Sequence, residues 1–417
     1  GTVVFGIHIA APGLALAPDA TVDRVARERL STGYRPGWTL TMLPDAVVQA
    51  YTLVEGRDCP AVSLYVTFDE PTLEVKASET KLERVPIAAN LRHDQLDSVV
   101  TEAALTGAAP ADYAFAPELA FAFRLAQALK ARREVVRGKP ENFNRPDYNF
   151  KLAGSGEEPR GDETVLISTR QRGAPLDLIF AEAMILANST WGGWLAEHGV
   201  PGIYRSQASL APGIKVRMGT KPAPHAGMGV AQYTWATSPL RRYVDLVNQW
   251  QIIACARHGR TAALVAPFKP KDAALFSIIS GFDAAYTAYN DFQRGIERYW
   301  TLRWLEQNAV SELEVSAMKD GLVRAETLPL VFRVPGCESL PRGARALVRI
   351  TGMDLLTLDL HATLAARLDE AAAAEGETTD DGEDDSLATG ALALAIDLGE
   401  GDADGAAPAA PTGDAVA

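Results

Sequence analysis

The sequence predicts an α+β protein: a mixed β-sheet packed with helices, then a small all-β barrel of OB-fold type, then a disordered acidic tail. Three observations predict it. β-Branched, partly alternating runs crowd the first third, and helical spacing of apolar residues governs the middle. Five short strand-like runs, set apart by Gly and Pro, then follow between residues 313 and 360. The expected units are 1–305, 306–368 and 369–417.

Residues 3–9 (VVFGIHI) and 61–68 (AVSLYVTF) read as strands, and 73–77 with 82–87 as a hairpin. Residues 22–30 have the spacing of an amphipathic helix and run into a Gly/Pro-rich loop, STGYRPGWTLTMLP. A helix over 117–137 stops at Gly138-Lys139-Pro140. Another, over 175–198, is closed by Gly199 with Pro201 beyond it. A third should open at Ser238-Pro239, with Ser as cap and Pro in the first turn, and end at Gly259. A long fourth runs from about Lys271 to Gln307. The barrel strands are expected at 313–315, 321–325, 330–334, 344–350 and 355–360.

Composition narrows the function classes. The 417 residues carry 47% hydrophobic and 22% charged side chains, ordinary for a globular protein of two or three domains. Cys59, Cys255 and Cys337 are too widely spaced for a zinc or redox motif, which fits a reducing compartment. No apolar run reaches the roughly 20 residues of a membrane helix, so a cytoplasmic protein, not bound to membrane, is expected. The net charge of −13 is uneven. Residues 369–417 hold 14 of the 53 acids and no Lys or Arg, leaving 39 acids against 40 bases elsewhere. Residues 201–260 carry eight Lys or Arg and one acid, Asp245. Clustered basic charge on a near-neutral body is the footprint of a phosphate binder, although arginines on ordinary helices would look the same. The tail is poor in aromatics and rich in Ala, Gly, Asp and Glu, a composition that cannot offset its ordering entropy.

The densest chemistry lies in 221–243, KPAPHAGMGVAQYTWATSPLRRY. A helix opening at Ser238 would aim free N–H groups at an anion, and Arg241 and Arg242 would add charged donors there. His225 starts a Gly-spaced loop that could let backbone approach a ligand, and Tyr233 and Trp235 offer stacking faces. The alternative is structural: Arg241 paired with Asp245, and the two aromatics in the core.

PHAGMGVAQYTWATSPLRRYVDL resembles the signature of the RNB family, the catalytic domain of ribonuclease II and ribonuclease R. FGIHIAAPG, GYRPGWTLTMLP, FNRPDYNF, AEAMILAN and IERYWTLRWL follow in the family's order, over roughly 1–305. The resemblance implies an RNB catalytic domain, a mixed sheet or barrel packed with helices, followed by an RNA-binding OB-fold. It also implies an exoribonuclease that draws single-stranded RNA into a channel and releases nucleoside 5′-monophosphates from the 3′ end. By position Arg241 resembles the arginine at the scissile phosphate, Tyr34 the tyrosine clamping the last nucleotide, and Phe143 the aromatic stacked on the RNA end. Glu297 resembles a late acid at the terminal nucleotide. His93 stands where a second tyrosine is usual, and Glu182 remains from a Glu-Glu pair whose first member is Ala181. The family's Mg²⁺ is held by an aspartate cluster just before the first strand. Gly1 in place of Met, hard against that strand, reads as the start of a fragment, so those ligands are expected upstream of Gly1.

The reading is therefore a Mg²⁺-dependent 3′-to-5′ exoribonuclease, monomeric, with single-stranded RNA as partner. The alternative is a catalytically silent RNA-binding protein on the same scaffold.

Overall fold

A computed structural model describes residues 1–36, 38–141, 146–154, 160, 163–171, 173–211 and 213–368. The expected acidic tail and Phe143 lie outside the described residues.

The chain opens with β1 (Thr2–Ala10), α1 (Thr21–Arg29), a short hairpin of β2 (Gly33–Arg35) and β3 (Trp38–Leu40), and α2 (Asp45–Tyr51). Two long strands follow, β4 (Asp58–Asp69) and β5 (Val75–Pro86). The hairpin expected within 73–87 is corrected here: Val75–Pro86 form one strand, and the turn lies before it, where Leu73 takes a left-handed φ of 54°. The three long strands make an antiparallel sheet in the order β1-β4-β5. Alternation sends Ile7, Ile9, Val62, Leu64, Val66 and Phe68 to one face.

After two single-turn helices, α3 (His93–Leu96) and α4 (Glu102–Leu105), α5 (Ala116–Arg137) ends at Gly138, φ 78°. An unforeseen hairpin, β6 (Pro146–Ala153) with β7 (Thr164–Gln171), separates it from α6 (Pro175–Glu197). The tiny pair β8 (Tyr204–Ser206) and β9 (Arg217–Gly219) precedes α7 (Tyr243–His258). α6 and α7 close the sheet's apolar face with Met184, Ala187, Trp191, Leu195, Ile252 and Ile253. Burying side chains of this size contributes roughly 1.5–3 kcal/mol each for the larger aliphatics.

The single turn α8 (Ala262–Val265) leads to α9 (Ala273–Gln307), capped by the Asp272 carboxylate on the Ala274 N–H at 2.8 Å. Beyond it come β10 (Glu312–Ala317), β11 (Leu322–Ala325), β12 (Val331–Arg333), β13 (Arg345–Asp354) and β14 (Asp359–Arg367). They pair in the order β12-β11-β10-β13-β14, and the two end strands touch, which curls the sheet into the expected small barrel. The last strand starts later than expected because 355–358 form the turn, with Leu356 almost fully exposed. No helix of the described residues is long and apolar enough to cross a membrane.

Candidate functional site

Three segments far apart in sequence are stitched together at the start of α7. The Tyr243 N–H donates to the Leu30 carbonyl at 2.9 Å, and the Thr32 N–H to the Arg241 carbonyl at 2.8 Å. Below them, the Tyr243 hydroxyl donates to buried Asp23 at 2.6 Å and accepts from Arg27 Nε at 3.0 Å, tying α1 to α7. The loop carrying Tyr34 is therefore pinned to the turn carrying Arg241. From the other side α9 holds the same loop. Gln293 Nε2 donates to the Tyr34 carbonyl at 2.5 Å and to the Tyr289 hydroxyl at 2.6 Å, and the Tyr34 N–H donates to that hydroxyl at 3.3 Å. Glu297 lies one turn beyond Gln293 on the same face of α9, half-buried. Burial, with the charges of Glu297 and Glu326, pushes the Tyr148 hydroxyl above the ordinary tyrosine range, Arg324 acting in the opposite sense. The segments that carry Arg241, Tyr34 and Glu297 thus form one wall.

The helix expected to open at Ser238 begins at Tyr243 instead, with Arg242 extended at its N-cap. The cause is Asp245. Its carboxylate takes the Ser238 N–H at 2.9 Å and Arg242 Nε and Nη2 at 2.7 Å each, folding 238–242 into a turn in which Arg241 and Arg242 both donate to the Ser238 carbonyl. Tyr243, Val244, Asp245 and Leu246 are wholly buried, so no anion can approach the first turn of α7. Asp245 itself supplies the negative charge that the helix N-terminus favours. Arg242, expected at the RNA, is thereby committed to an internal ion pair, and the Ser238 N–H, likewise expected there, donates to the same carboxylate. It is Arg242, not Arg241, that pairs with Asp245.

Tyr233 is 1% exposed, with its hydroxyl against Asn188 at 3.4 Å, so its ring is core and not a stacking face. Trp235 is equally buried. The Arg205 guanidinium lies 3.8 Å and that of Arg242 4.0 Å from its ring centroid, while Phe282 and Tyr286 of α9 meet it edge-on.

The loop of His225 also turns inward. Gly229 has φ 65°, and a Cβ there would stand 2.2 Å from the Arg133 carbonyl oxygen, so glycine serves a close approach to α5, not to a ligand. Arg133 uses all five N–H groups: on Glu182, on Glu141, and on the Met228 carbonyl at 2.7 Å. Glu182, expected at the RNA, is 2% exposed and held by that arginine. Removing Arg133 would strand two buried carboxylates, at about 3–5 kcal/mol. His93 joins a network too. Its Nδ1 is 3.1 Å from Asp97 and 2.9 Å from Arg170, which also binds buried Asp177 at 2.5 Å, fastening α3 to β7 and α6.

Sequence reasoning missed Arg205, Tyr148, Tyr289 and Gln293. The spacing of 282, 286, 289, 293 and 297 marks one helical face and could have revealed the α9 residues. Nothing about Arg205 in IYRSQ stands out.

Among the described residues no group of three or more His, Cys, Asp or Glu could hold a metal ion. Two buried acids beside the wall are engaged elsewhere: Asp245 with Arg242, Asp23 with Tyr243. The described residues do not fit a Mg²⁺ site.

Compared with known proteins, residues 1–213 and 214–258 match the RNB domain. An uncharacterized ribonuclease of Synechocystis sp. is 27% identical over 352 residues, covering 78% of this chain and 48% of its own. Exoribonuclease 2 of Vibrio vulnificus is 26% identical over 296 residues, covering 58% and 43%. The chain spans about half the length of these curated relatives. Mycoplasma genitalium RNase R in complex with single-stranded RNA superposes with a TM-score of 0.70 at 14% identity, over 87% of this chain and 67% of that one.

Proposed function

Because the chain belongs to the RNB domain family, we propose that it is the RNA-gripping part of a hydrolytic exoribonuclease that degrades single-stranded RNA from its 3′ end to nucleoside 5′-monophosphates. One observation carries the reading: the Arg241 peptide is bonded to the Tyr34 loop, and that loop to α9 one turn before Glu297. Under it, Arg241 meets the phosphate to be cleaved, where a guanidinium already in place stabilises charge gathering on the phosphoryl oxygens. Tyr34 packs against the last nucleotide, indifferent to base identity because every base offers a π-face. Glu297 accepts hydrogen bonds from the terminal ribose, whose hydroxyls are donors at an RNA 3′ end. Divalent-metal dependence, general among RNB exoribonucleases, belongs to the proposal without a site among the described residues.

A second reading, RNA binding without cleavage, draws on the engagement of Asp245, Asp23 and Glu182 in internal bonds. One experiment separates the two: 5′-labelled single-stranded RNA with Mg²⁺, with EDTA, and with Arg241→Ala. A ladder shortening from the 3′ end, abolished by EDTA and slowed about 100-fold or more by Arg241→Ala, is expected. Undiminished cleavage by the variant sinks the role of Arg241. Salt-sensitive binding without cleavage favours the binder.

A further inference from the structure

Arg205 of β8 stacks on the Trp235 ring, as Arg242 does, and differs from Arg242 and Arg133 in its partners. Arg242 is matched by Asp245 and Arg133 by Glu182 and Glu141. Among the described residues the Arg205 side chain has no hydrogen bond and no carboxylate within ion-pair distance; its Nε is buried and unpartnered. Asp283 of α9 feels its charge without reaching it. The guanidinium is held by the Trp235 face, 3.8 Å from the ring centroid, an interaction that fixes the plane while leaving in-plane donors unspent. Two more buried side-chain donors in this part of the fold have no acceptor. His225, 2% exposed, takes the Met228 N–H on Nδ1 at 3.2 Å, so its neutral ring carries the proton on unpartnered Nε2. Trp235 Nε1–H is likewise unpartnered. His225 senses the Arg205 charge, and the Arg205 N–H bonds the Tyr233 carbonyl at 2.8 Å beneath the ring that His225 meets edge-on.

A half-buried cation without a counter-charge, its Nε shielded from water and unpartnered, is costly in an empty protein and favourable around an anion. We propose that Arg205, stacked on Trp235 with its in-plane donors unspent, forms a phosphate subsite that takes a phosphodiester of the RNA. The inference rests on the reading above and adds to it a site on β8. A merely structural Arg205 would behave differently, since its loss would then weaken the fold and spare anion binding.

The test uses the full chain as wild type, Arg205→Met and Arg205→Lys. Thermal midpoints are taken with and without inorganic phosphate, and affinity for 5′-labelled single-stranded RNA is taken over a salt series. Arg205→Met should melt no lower than wild type without phosphate, because it removes an unbalanced cation. It should lose the rise in midpoint that phosphate gives the wild type, bind RNA about tenfold or more weakly, and lower the log–log salt slope by about 0.7. Arg205→Lys should keep the slope and remain several-fold weaker, lacking the planar fork. Wild-type RNA affinity in both variants overturns the subsite and leaves the proposed function standing. So does a lower midpoint in Arg205→Met with the phosphate response intact. If the wild type binds no RNA, the proposed function falls, while a phosphate response lost with Arg205 still upholds the subsite.

Discussion

His225 illustrates how single side chains set the wall's electrostatics. Burial, reinforced by the nearby Arg205 charge, pushes its ring down from 6.5 to about 3, so the ring is neutral at physiological pH and keeps its Nε2 proton for donation. The consequence for stability follows from linkage. The unfolded chain takes up a proton near pH 6.5, the folded chain only near pH 3, so stability is full above pH 6.5 and falls as pH drops through that window. Between pH 7 and pH 5 the loss from this one ring is about 2 kcal/mol. His225→Gln keeps an acceptor for the Met228 N–H but cannot titrate, so its denaturation free energy should decline less over the same interval, by about that amount. Parallel pH profiles for the two proteins would show that the ring takes no part in the acid response.

The elements differ in how legible they were. α1, α5, α6 and α9 were readable from their apolar spacing, and α5 and α6 also from their stops at Gly138 and Gly199; neither signal depends on distant contacts. The start of α7 was misread because Ser-Pro is a good local opening, and only the folded chain brings the Asp245 carboxylate onto the Ser238 N–H. Similarly the β6–β7 hairpin escaped notice: what its strands pack against, Trp300 and Gln307, lies more than a hundred residues away. α9 is the element that turns a local loop into a clamp. Gln293 bonds the Tyr34 carbonyl and Tyr289 together, so Gln293→Ala should free the Tyr34 loop at a cost of about 1 kcal/mol in stability. The end point of RNA digestion should lengthen by at least a nucleotide while the initial rate on long RNA stays within about threefold, given that stacking on Tyr34 contributes roughly 1–3 kcal/mol per base. An unchanged product ladder would mean that the α9 contact merely supports the fold.

For the whole molecule, the resemblance carried by dispersed motifs gave the right family and the right order of sheet, helices and barrel, whereas individual roles were less legible. Glu182, Arg242, Tyr233 and Ser238 lie within or beside the motifs, yet burial gives them internal partners, and motif position says nothing of burial. The boundary expected after residue 305 shows the same limit. It falls inside α9, whose Leu302 and Leu305 are core residues of the barrel. Arg298 of α9 also reaches into the barrel, donating to the Leu358 carbonyl at 2.7 Å and the Val331 carbonyl at 2.8 Å. Gln307 returns to the β6–β7 hairpin, accepting the Val165 N–H at 3.0 Å and donating to the Glu163 carbonyl at 2.7 Å. The helix is thus shared, and a chain ended at residue 305 should not behave as a self-contained unit. It would bare Leu302 and Leu305, each worth roughly 1.5–3 kcal/mol when buried, and unfasten the hairpin that Gln307 holds. We expect such a chain to melt several degrees below the full one, to bind a hydrophobic dye, and to lose RNA affinity beyond what removal of the barrel's own contacts explains. A truncated chain that melts with the full-length midpoint would instead make the barrel an independent bead, and the hold of α9 on Tyr34 would owe nothing to it.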